Sequence, residues 1–368
     1  MKSIFKLFIY KLIFSLPKDI DFIIFSDQHH EYFFEYLDKK KCFVIKKKEI
    51  YIPAFLKVLN FRDIFNIRLN YYCKLISLIN PKIVLTFDSY NEQYYKFKNK
   101  INKNIKFIAF QKTPLFTEFR FFRQDKKFNS CDIIFSFGNL YTDKLKKYIN
   151  CKNIYNIGSF INNHNYKHIN NKKKNLIILR THSNFISKSE IKLLKNVSKF
   201  IREKNLKKFD ILFKNKKNDK LVYYLKKYLS LNELDSFNFI WRKGENNFLA
   251  RNRSYNIANK YKNILFDRSS MGYEMLAKKK KVICLNFSKK IGEDFCLKNN
   301  VKFKVINFNT KKIIKKKIIY SFKNYEDFKK KLSFFYLKKR DNNLFLETLP
   351  FDPGNSFFKQ KLKSILKN

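Results

Sequence analysis

The sequence predicts an α/β fold in which two Rossmann-like domains follow one another along the chain. The 368 residues exceed what one ordinary core holds, so about two domains are expected. Short uninterrupted apolar runs alternate with helical patterns, which is typical of parallel strands buried on both faces of a sheet. This alternation restarts after a polar stretch at 162–174, which we interpret as a linker between the domains.

Residues 17–161 form the predicted first domain. Its predicted strands are Asp21–Ser26, Cys42–Ile45, Ile50–Ile52, Lys82–Phe87, Lys106–Phe110 and Asp132–Ser136. Its predicted helices are Tyr32–Leu37, Ala54–Leu59 and Leu69–Ile79. The last of these should end before Pro81, because proline cannot continue a helix.

Residues 175–324 form the predicted second domain. Its predicted strands are Leu176–Leu179, Phe209–Phe213, Phe237–Trp241, Ile264–Phe266 and Lys281–Leu285. Its predicted helices are Ser189–Glu203, Lys220–Leu229 and Met271–Ala277. We expect residues 325–368 to form a helical tail that packs back across both domains.

The pattern of residues 1–16 indicates an amphipathic N-terminal segment. On a helical wheel one face is apolar and the lysines lie away from it; the apolar face holds Phe5, Phe8, Ile9, Leu12 and Ile13, and the lysines are Lys2, Lys6 and Lys11. This pattern suits a helix lying in the interface of an anionic membrane. A helix packed on its own domain is the alternative, and no secretory cleavage site follows the segment.

The formal net charge of +50 comes from 80 Lys and Arg against 30 Asp and Glu. Only 11 of the 80 cations are Arg, the residue that pairs bidentately with phosphate and guanine. We interpret most of the charge as dispersed lysine from an A/T-rich genome, with a nucleic-acid partner as the alternative. The 45% hydrophobic content excludes a disordered chain.

Several familiar chemistries lack their sequence markers. The six cysteines show no CxxC and no metal-ligand spacing with histidine, which predicts reduced cysteines in a cytoplasmic protein. No GxxxxGK[ST], GxGxxG or GxSxG occurs, so P-loop, dinucleotide and α/β-hydrolase chemistry are not indicated.

In parallel sheets, ligands bind beyond the carboxyl ends of the strands. In the second domain these positions carry repeated cations and polar side chains: Arg180, His182, Lys214, Arg242, Arg268, Ser269 and Ser270. In the first domain they carry carboxylates and histidines, among them Asp27, His29 and Asp88. We therefore expect a phosphate-bearing donor on the second domain and a neutral hydroxyl acceptor on the first.

The sharpest motif is NILFDRSSMGYEMLAK at 263–278, where a strand runs directly into a serine-containing turn and a helix. Backbone N–H groups and the dipole at a helix start hold phosphate, and the hydroxyls of Ser269 and Ser270 add donors. Gly272 would let the ligand approach closely, and Glu274 would accept bonds from a ribose. The alternative is that one serine only caps the helix and Glu274 completes a capping box.

Five segments resemble GT-B-type glycosyltransferases of the surface-carbohydrate (surface polysaccharide) biosynthesis family: LPKDIDFIIFSD, EIYIPAFLKVL, PKIVLTFDSYNEQYYKF, KNIYNIGSFINN and ILFDRSSMGYEMLAKKKKV. The resemblance implies two domains facing a cleft, with the nucleotide-sugar on the C-terminal one. It implies that Ser269, Ser270, Gly272 and Glu274 grip the donor phosphate and ribose. Gly158 and Ser159 would line the cleft at the domain junction.

The Ser-Ser pair is also similar to that of GT-B sialyltransferases and polymerising glycerophosphate transferases, which use CMP- or CDP-linked donors. Those enzymes carry a His-Pro pair earlier in the C-terminal domain, whereas His182 here is followed by serine. The nucleotide of the donor therefore stays open.

A base that deprotonates the acceptor hydroxyl should project from the first domain. Asp88 is our first choice because it follows a well-defined strand, and Asp27 with His29 is the second. The alternative for Asp88 is a helix N-cap. We discount the DxD at Asp19–Asp21 as a metal motif, because it precedes the first strand. No cofactor or metal is expected, since cations and a helix terminus can stabilise the leaving diphosphate.

Taken together, the sequence predicts a cytoplasmic glycosyltransferase, in peripheral contact with the inner face of the membrane, that moves a sugar from a nucleotide-sugar donor to a cell-surface glycan or lipid-linked precursor. A CMP/CDP-linked transferase is the alternative among enzymes. A basic nucleic-acid-binding protein is the alternative of another class, although no nucleic acid is expected. A non-catalytic homologue is a third.

Overall fold

The structure is a computed structural model that describes residues 10–25, 29–59, 66–101, 104–111, 126–165, 173–179, 186–213, 216–243, 247–267, 269–278, 280–286, 303–307, 313–316, 319–322, 324–337, 344–346 and 351–367. The chain divides into two compact units. The first unit comprises Met1–Thr113, Glu118–Phe160 and Asn355–Asn368, and the second comprises Pro114–Thr117 and Ile161–Gly354.

The strands of the described residues are, in chain order, β1 (Lys11–Ile13), β2 (Phe22–Ile24), β3 (Cys42–Val44), β4 (Glu49–Tyr51), β5 (Ile83–Thr86), β6 (Lys106–Phe110), β7 (Ser130–Ser136), β8 (Asn150–Asn156), β9 (Lys173–Leu179), β10 (Phe209–Phe213), β11 (Phe237–Ile240), β12 (Tyr261–Phe266), β13 (Lys281–Asn286), β14 (Phe303–Asn307), β15 (Ile313–Lys316), β16 (Ile319–Ser321) and β17 (Leu344–Leu346).

The α-helices are α1 (Ile52–Leu59), α2 (Ile67–Ile79), α3 (Glu92–Lys100), α4 (Asn139–Tyr148), α5 (Phe160–His164), α6 (Lys188–Glu203), α7 (Asp219–Tyr228), α8 (Leu231–Leu234), α9 (Asn247–Asn259), α10 (Ser270–Ala277), α11 (Tyr325–Leu337) and α12 (Ser356–Lys367). The segment predicted as a helix around Tyr32–Leu37 is instead a short 3-10 helix, His30–Glu35. Within the described ranges, no helix is long and apolar enough to cross a membrane.

The first unit is built on a parallel sheet with the order β3-β2-β5-β6-β7-β8. The order of the strands changes direction between β2 and β5: the chain passes from β2 to β3 on one side and from β5 to β8 on the other. Ligands bind at such a switch point in parallel sheets. The central strands are apolar and fully covered, as the uninterrupted runs predicted: all four residues of β5 are buried. The predicted parallel α/β architecture is confirmed here.

The second unit is also built on a parallel sheet, with the order β11-β10-β9-β12-β13-β16. Its first strand lies at the centre between its second and fourth, which is the order of the Rossmann fold. The switch point therefore lies between β9 and β12. A small antiparallel sheet, β15-β14-β17, belongs to the same unit.

Helix α12 packs in the first unit, whereas α11 packs in the second. Phe358 of α12 is 1% exposed and inserts among aromatic rings, with centroid distances of 5.3 Å to Phe110 and 5.1 Å to Phe160. The prediction of an all-helical tail is wrong at Leu344–Leu346, which forms β17 beside β14. Two apolar residues flanking an aromatic one suit a strand as well as a helix, and pairing with β14 decides between them.

The predicted N-terminal helix is wrong for Lys11–Ile13, which form β1. This strand pairs in parallel with β4, and the N–H of Lys11 donates to the carbonyl of Lys48 at 2.7 Å. The edge of β4 has unpaired backbone groups, and hydrogen bonds to them stabilise a short apolar segment more than a helix would. The remainder of the predicted amphipathic helix, residues 1–9, lies outside the described residues.

The predicted linker is wrong at its N-terminal end, because Asn162, Asn163 and Asn165 are at most 6% exposed. The amide of Asn162 donates to the carbonyl of Glu274 at 2.9 Å, and that of Asn165 donates to the Oδ1 of Asn252 at 3.0 Å. These hydrogen bonds offset part of the cost of burying the two amide groups. The C-terminal end of the linker, from Lys173, belongs to β9; residues 166–172 lie outside the described residues.

Candidate functional site

The switch point of the second unit brings together the end of β12 and the start of α6. Asp267 follows β12 directly and is 1% exposed. Its carboxylate accepts a hydrogen bond from the Oγ of Ser189 at 3.4 Å, in the first turn of α6. Helix α6 is held at this point by a capping box, in which the N–H of Glu190 donates to the Oγ of Ser187 at 3.2 Å. The hydrogen bond between Ser189 and Asp267 thus joins the start of α6 to the end of β12 at the switch point.

The start of α10 lies at the same switch point. Ser269 is its N-cap, with extended backbone, and the Ser269 side chain makes no capping hydrogen bond. Ser269 and Ser270 are both partly exposed. The third helical position is Gly272, whose N–H donates to the carbonyl of Ser269 at 3.1 Å. The alternative of a capping box is therefore wrong, because Glu274 lies two residues beyond the position that such a box requires.

Gly272 is packed against the strand from which its helix emerges. A Cβ added at this position would lie 2.2 Å from Cγ of Phe266, the last residue of β12. The need for glycine therefore comes from close packing of α10 on β12. Contact between Gly272 and a ligand stays a prediction.

Glu274 lies inside the unit, 4% exposed. Its carboxylate accepts a hydrogen bond from the hydroxyl of Tyr255 on α9. Its backbone carbonyl accepts the amide of Asn162. Glu274 therefore ties α10 to α9 and α5, and its predicted contact with a ribose stays a prediction.

Lys278 belongs to the same buried hydrogen-bond network, and it was not among the residues predicted from the sequence. Its Nζ donates to the carbonyl of Asn165 at 2.7 Å and to the Oδ1 of Asn259 at 2.9 Å. Burial lowers the pKa of Lys278 to about 7, although the charge of Glu274 acts in the opposite direction. In the sequence Lys278 opens a run of four lysines, and nothing in that run distinguishes a buried lysine from solvated ones.

The remaining predicted donor-binding residues of the second unit divide into two groups. Arg180, His182, Lys214 and Arg268 lie outside the described residues. Arg242 follows β11, the outermost strand of the sheet. Strand β10 separates β11 from β9, so Arg242 starts about 10 Å from the switch point at a strand spacing of about 4.8 Å.

The switch point of the first unit places Asp88 and His29 at the carboxyl ends of neighbouring strands. The Oγ1 of Thr86, the last residue of β5, donates to the carbonyl of Phe25 at 3.0 Å and accepts the N–H of Asp88 at 2.9 Å. These bonds fix the backbone that presents the Asp88 side chain, which is partly exposed.

Asp88 is not the N-cap of the following helix. That position belongs to Asn91, whose side chain accepts the N–H of Gln93 at 3.1 Å. The alternative reading of Asp88 as a cap is therefore wrong. The cap falls three residues later because the chain first makes a turn in which the N–H of Asn91 donates to the carbonyl of Asp88 at 3.0 Å.

His29 adopts a left-handed backbone conformation, with φ of 66°. Its ring lies edge-on to those of Phe87 and Tyr32, at centroid distances of 6.2 and 6.4 Å. The structure thus gathers His29 and Asp88 at one switch point, as predicted from the strand ends. Asp27 lies outside the described residues.

Gly158 and Ser159 follow β8 in the first unit. Gly158 has φ of 77°, a left-handed conformation that favours glycine, and its N–H donates to the carbonyl of Ser136 at 3.2 Å. Ser159 is 6% exposed. Their predicted contact with a donor stays a prediction.

Asp21 of the DxD sequence is engaged in ion pairs. Asp21 lies 3.2 Å from the Nζ of Lys41 and 3.1 Å from that of Lys82. These bonds lower the pKa of Asp21 against the opposing effect of burial. Within the described ranges, no three His, Cys, Asp or Glu side chains are grouped as metal ligands.

Comparison with solved structures identifies the fold. A UDP-GlcNAc 2-epimerase from Methanocaldococcus jannaschii matches at 12% identity and a TM-score of 0.51, over 94% of this chain and 99% of that one. A glycosyltransferase from Rickettsia africae matches at 15% identity and a TM-score of 0.50, over 94% and 90% of the two chains. A Listeria monocytogenes chain assigned as a UDP-N-acetylglucosamine 2-epimerase matches at 12% identity and a TM-score of 0.53, over 96% of both.

No protein-family model and no curated protein matches the chain. At these identities the likeness concerns the fold alone. The chain therefore has a GT-B-like α/β fold, shared by a glycosyltransferase and by nucleotide-sugar epimerases.

Proposed function

We propose that this protein is a glycosyltransferase that moves a sugar from a nucleotide-sugar donor to a cell-surface glycan or lipid-linked precursor. The observation that carries the proposal is the start of α10 at the switch point of a Rossmann-type sheet. Ser269 and Ser270 stand there with partly exposed side chains, and Ser269 is not used as a side-chain cap. This is the arrangement in which helix N–H groups and hydroxyls bind a diphosphate.

The first unit is proposed to supply the base that deprotonates the acceptor hydroxyl. Asp88 is the proposed general base, because its backbone is fixed by Thr86 and its carboxylate does not cap α3. Deprotonation of an acceptor hydroxyl requires a base within hydrogen-bonding reach, and a carboxylate at a switch point is suitably placed to meet a bound acceptor. His29 and Asp27 are the proposed second choice.

The phosphate charge on the leaving nucleotide must also be stabilised. We propose that the dipole of α10 does this together with five side chains: Arg180, His182, Lys214, Arg242 and Arg268. Gly272 and Glu274, which fix α10 against β12 and α9, are proposed to contact the donor phosphate and ribose. Gly158 and Ser159 are proposed to line the cleft at the domain junction. No metal or other cofactor is required by this proposal.

Peripheral membrane contact forms part of the proposal, because a lipid-linked acceptor resides at a membrane. Leu12 on β1 and Phe14 directly after this strand are 47% and 74% exposed, and Lys11 is exposed beside them. Exposed apolar side chains next to cations favour an anionic lipid surface. The proposed location is the inner face of the cytoplasmic membrane.

The first experiment tests donor binding by thermal unfolding of the full chain with UDP, GDP, CMP and CDP, each alone and sugar-linked. A ligand at a hundredfold excess over its Kd should stabilise the protein by about 2.7 kcal/mol. Ser269→Ala/Ser270→Ala should remove this stabilisation, and the matched control Ser333→Ala on α11 should retain it. A CMP or CDP preference would select the alternative donor class.

If no nucleotide stabilises the protein while generic DNA binds with a steep salt dependence, the transferase proposal fails and the nucleic-acid alternative replaces it.

The second experiment tests the reaction with the nucleotide-sugar that binds. A transferase should release nucleotide only when a membrane-lipid extract supplies acceptor, whereas an epimerase would convert the donor without one. Asp88→Asn should lower turnover by about 10²- to 10⁴-fold with donor binding unchanged. Normal turnover of this variant would refute the base assignment while leaving the donor site intact.

A further inference from the structure

We propose that Cys131 and Cys151 form a dithiol pair that closes reversibly to an intramolecular disulfide by exchange with a low-molecular-weight disulfide. The sequence predicted reduced cysteines, and it gave no reason to join these two. The proposal is independent of the glycosyltransferase proposal, because it concerns the opposite end of the first sheet.

The geometry of the sheet brings the two cysteines together. Cys131 on β7 and Cys151 on β8 are direct register partners in a parallel pair. Neighbouring strands lie about 4.8 Å apart, within the Cα separation of about 4.4–6.8 Å that a disulfide spans. Register partners on neighbouring strands project to the same face of a sheet, so the two side chains lie next to each other. Closure therefore needs little movement of the backbone.

The two thiols differ in a way that assigns their roles. Cys131 is 3% exposed, and its thiol donates to the carbonyls of Phe107 at 3.1 Å and Ile133 at 3.2 Å. Cys151 lies on β8, the outer strand of the sheet, and is partly exposed. The neighbouring Cys131 side chain lowers the pKa of Cys151, whereas burial raises the pKa of Cys131. Cys151 is therefore the attacking thiolate and Cys131 the resolving thiol.

The reaction proceeds by two exchanges. The Cys151 thiolate attacks one sulfur of oxidised glutathione, which forms a mixed disulfide on Cys151 and releases one glutathione thiolate. The Cys131 thiol then loses its proton and attacks the Cys151 sulfur, which forms the Cys131–Cys151 disulfide and releases the second glutathione. Two protein thiols are oxidised, and one glutathione disulfide is reduced to two glutathione molecules.

Other cysteines of the described residues provide a contrast. Burial raises the pKa of Cys42 to about 12 and that of Cys73 to about 11. These thiols stay protonated at neutral pH and exchange slowly. Cys131 and Cys151 lie near the amino ends of their strands, whereas Asp88 lies at the carboxyl edge, so closure should leave that edge unchanged.

The test is incubation of the folded full chain with oxidised glutathione, followed by acid quenching, thiol titration under denaturing conditions and non-reducing peptide mapping. Two of the six thiols should be lost, in a peptide pair that joins Cys131 to Cys151, and dithiothreitol should restore both. Cys131→Ser should accumulate glutathione on Cys151, Cys151→Ser should show no cross-link at Cys131, and the control Cys73→Ser should behave as wild type.

Wild-type protein that retains all its thiols, or that joins other cysteines in preference, would overturn the proposal. So would a Cys131–Cys151 link that forms only in urea, because the folded register would then play no part. The wild-type mapping decides the matter even if a serine variant fails to fold.

Discussion

Replacing Gly272 by alanine should destabilise the second unit and disturb the start of α10. The added Cβ would lie 2.2, 2.4 and 2.6 Å from three ring carbons of Phe266. Favourable carbon contacts begin at about 3.5 Å, so helix and strand would have to separate by more than ~1 Å. Phe266 is fully buried and packs edge-on against Tyr273 at 4.8 Å, so its ring has no room to turn aside.

The expected magnitude follows from two opposing effects. Gly→Ala in a helix interior stabilises by about 1 kcal/mol when nothing obstructs the methyl group. Overpacking a close-packed core costs about 1–3 kcal/mol, and the short distances here place Gly272→Ala near the upper end. The net loss should therefore be about 2 kcal/mol, with the sign opposite to that expected from helix propensity.

Urea unfolding measures this effect as a lower midpoint with an unchanged m-value. Phe266→Leu in the same chain should recover part of the loss, because the smaller side chain vacates space for the methyl group. Met271→Ala, on the same helix and partly exposed, serves as the control and should cost little. A Gly272→Ala protein as stable as wild type, or more stable, would refute the packing explanation for this glycine.

Two further predictions concern buried side chains. Between its folded pKa of about 7 and its ordinary value of 10.5, Lys278 is protonated in the unfolded chain but not in the folded one. Stability should therefore rise with pH in this window by up to about 1.4 kcal/mol per unit, and Lys278→Met should remove that slope in urea unfolding at successive pH values. Phe358→Ala should destabilise the first unit by about 3–5 kcal/mol and make α12 sensitive to proteolysis, whereas Lys363→Ala, exposed on the same helix, should not.

Strands buried on both faces were predictable from the sequence. Lys106–Phe110 and Phe209–Phe213 have the predicted bounds, because a parallel strand covered by helices shows as an uninterrupted apolar run. Strand β8 was missed. Its sequence, NCKNIYN, is mostly polar because it forms the outer edge of the sheet. Its strand conformation comes from backbone pairing with β7, which the side-chain pattern does not indicate.

The candidate site was predictable in position but not in detail. Residues that follow strands were expected at the ligand-binding edge, and His29, Asp88 and Ser269 do lie at switch points. Helix α9 was missed, and with it Tyr255, the hydrogen-bond partner of the Glu274 carboxylate. No local pattern joins residues on two different helices.

The sequence by itself determined the α/β class and the strand ends where polar side chains gather, because both depend on residues close together in the chain. Only the tertiary structure decided that Gly272 is needed for the packing of α10 on β12 and that Glu274 and Lys278 are buried and hydrogen-bonded. It also decided that Cys131 and Cys151 are register partners on neighbouring strands. Those roles depend on strand order and on burial, which bring together residues far apart in sequence. Burial also sets the protonation of Lys278, and the sequence of a lysine-rich chain carries no sign of it.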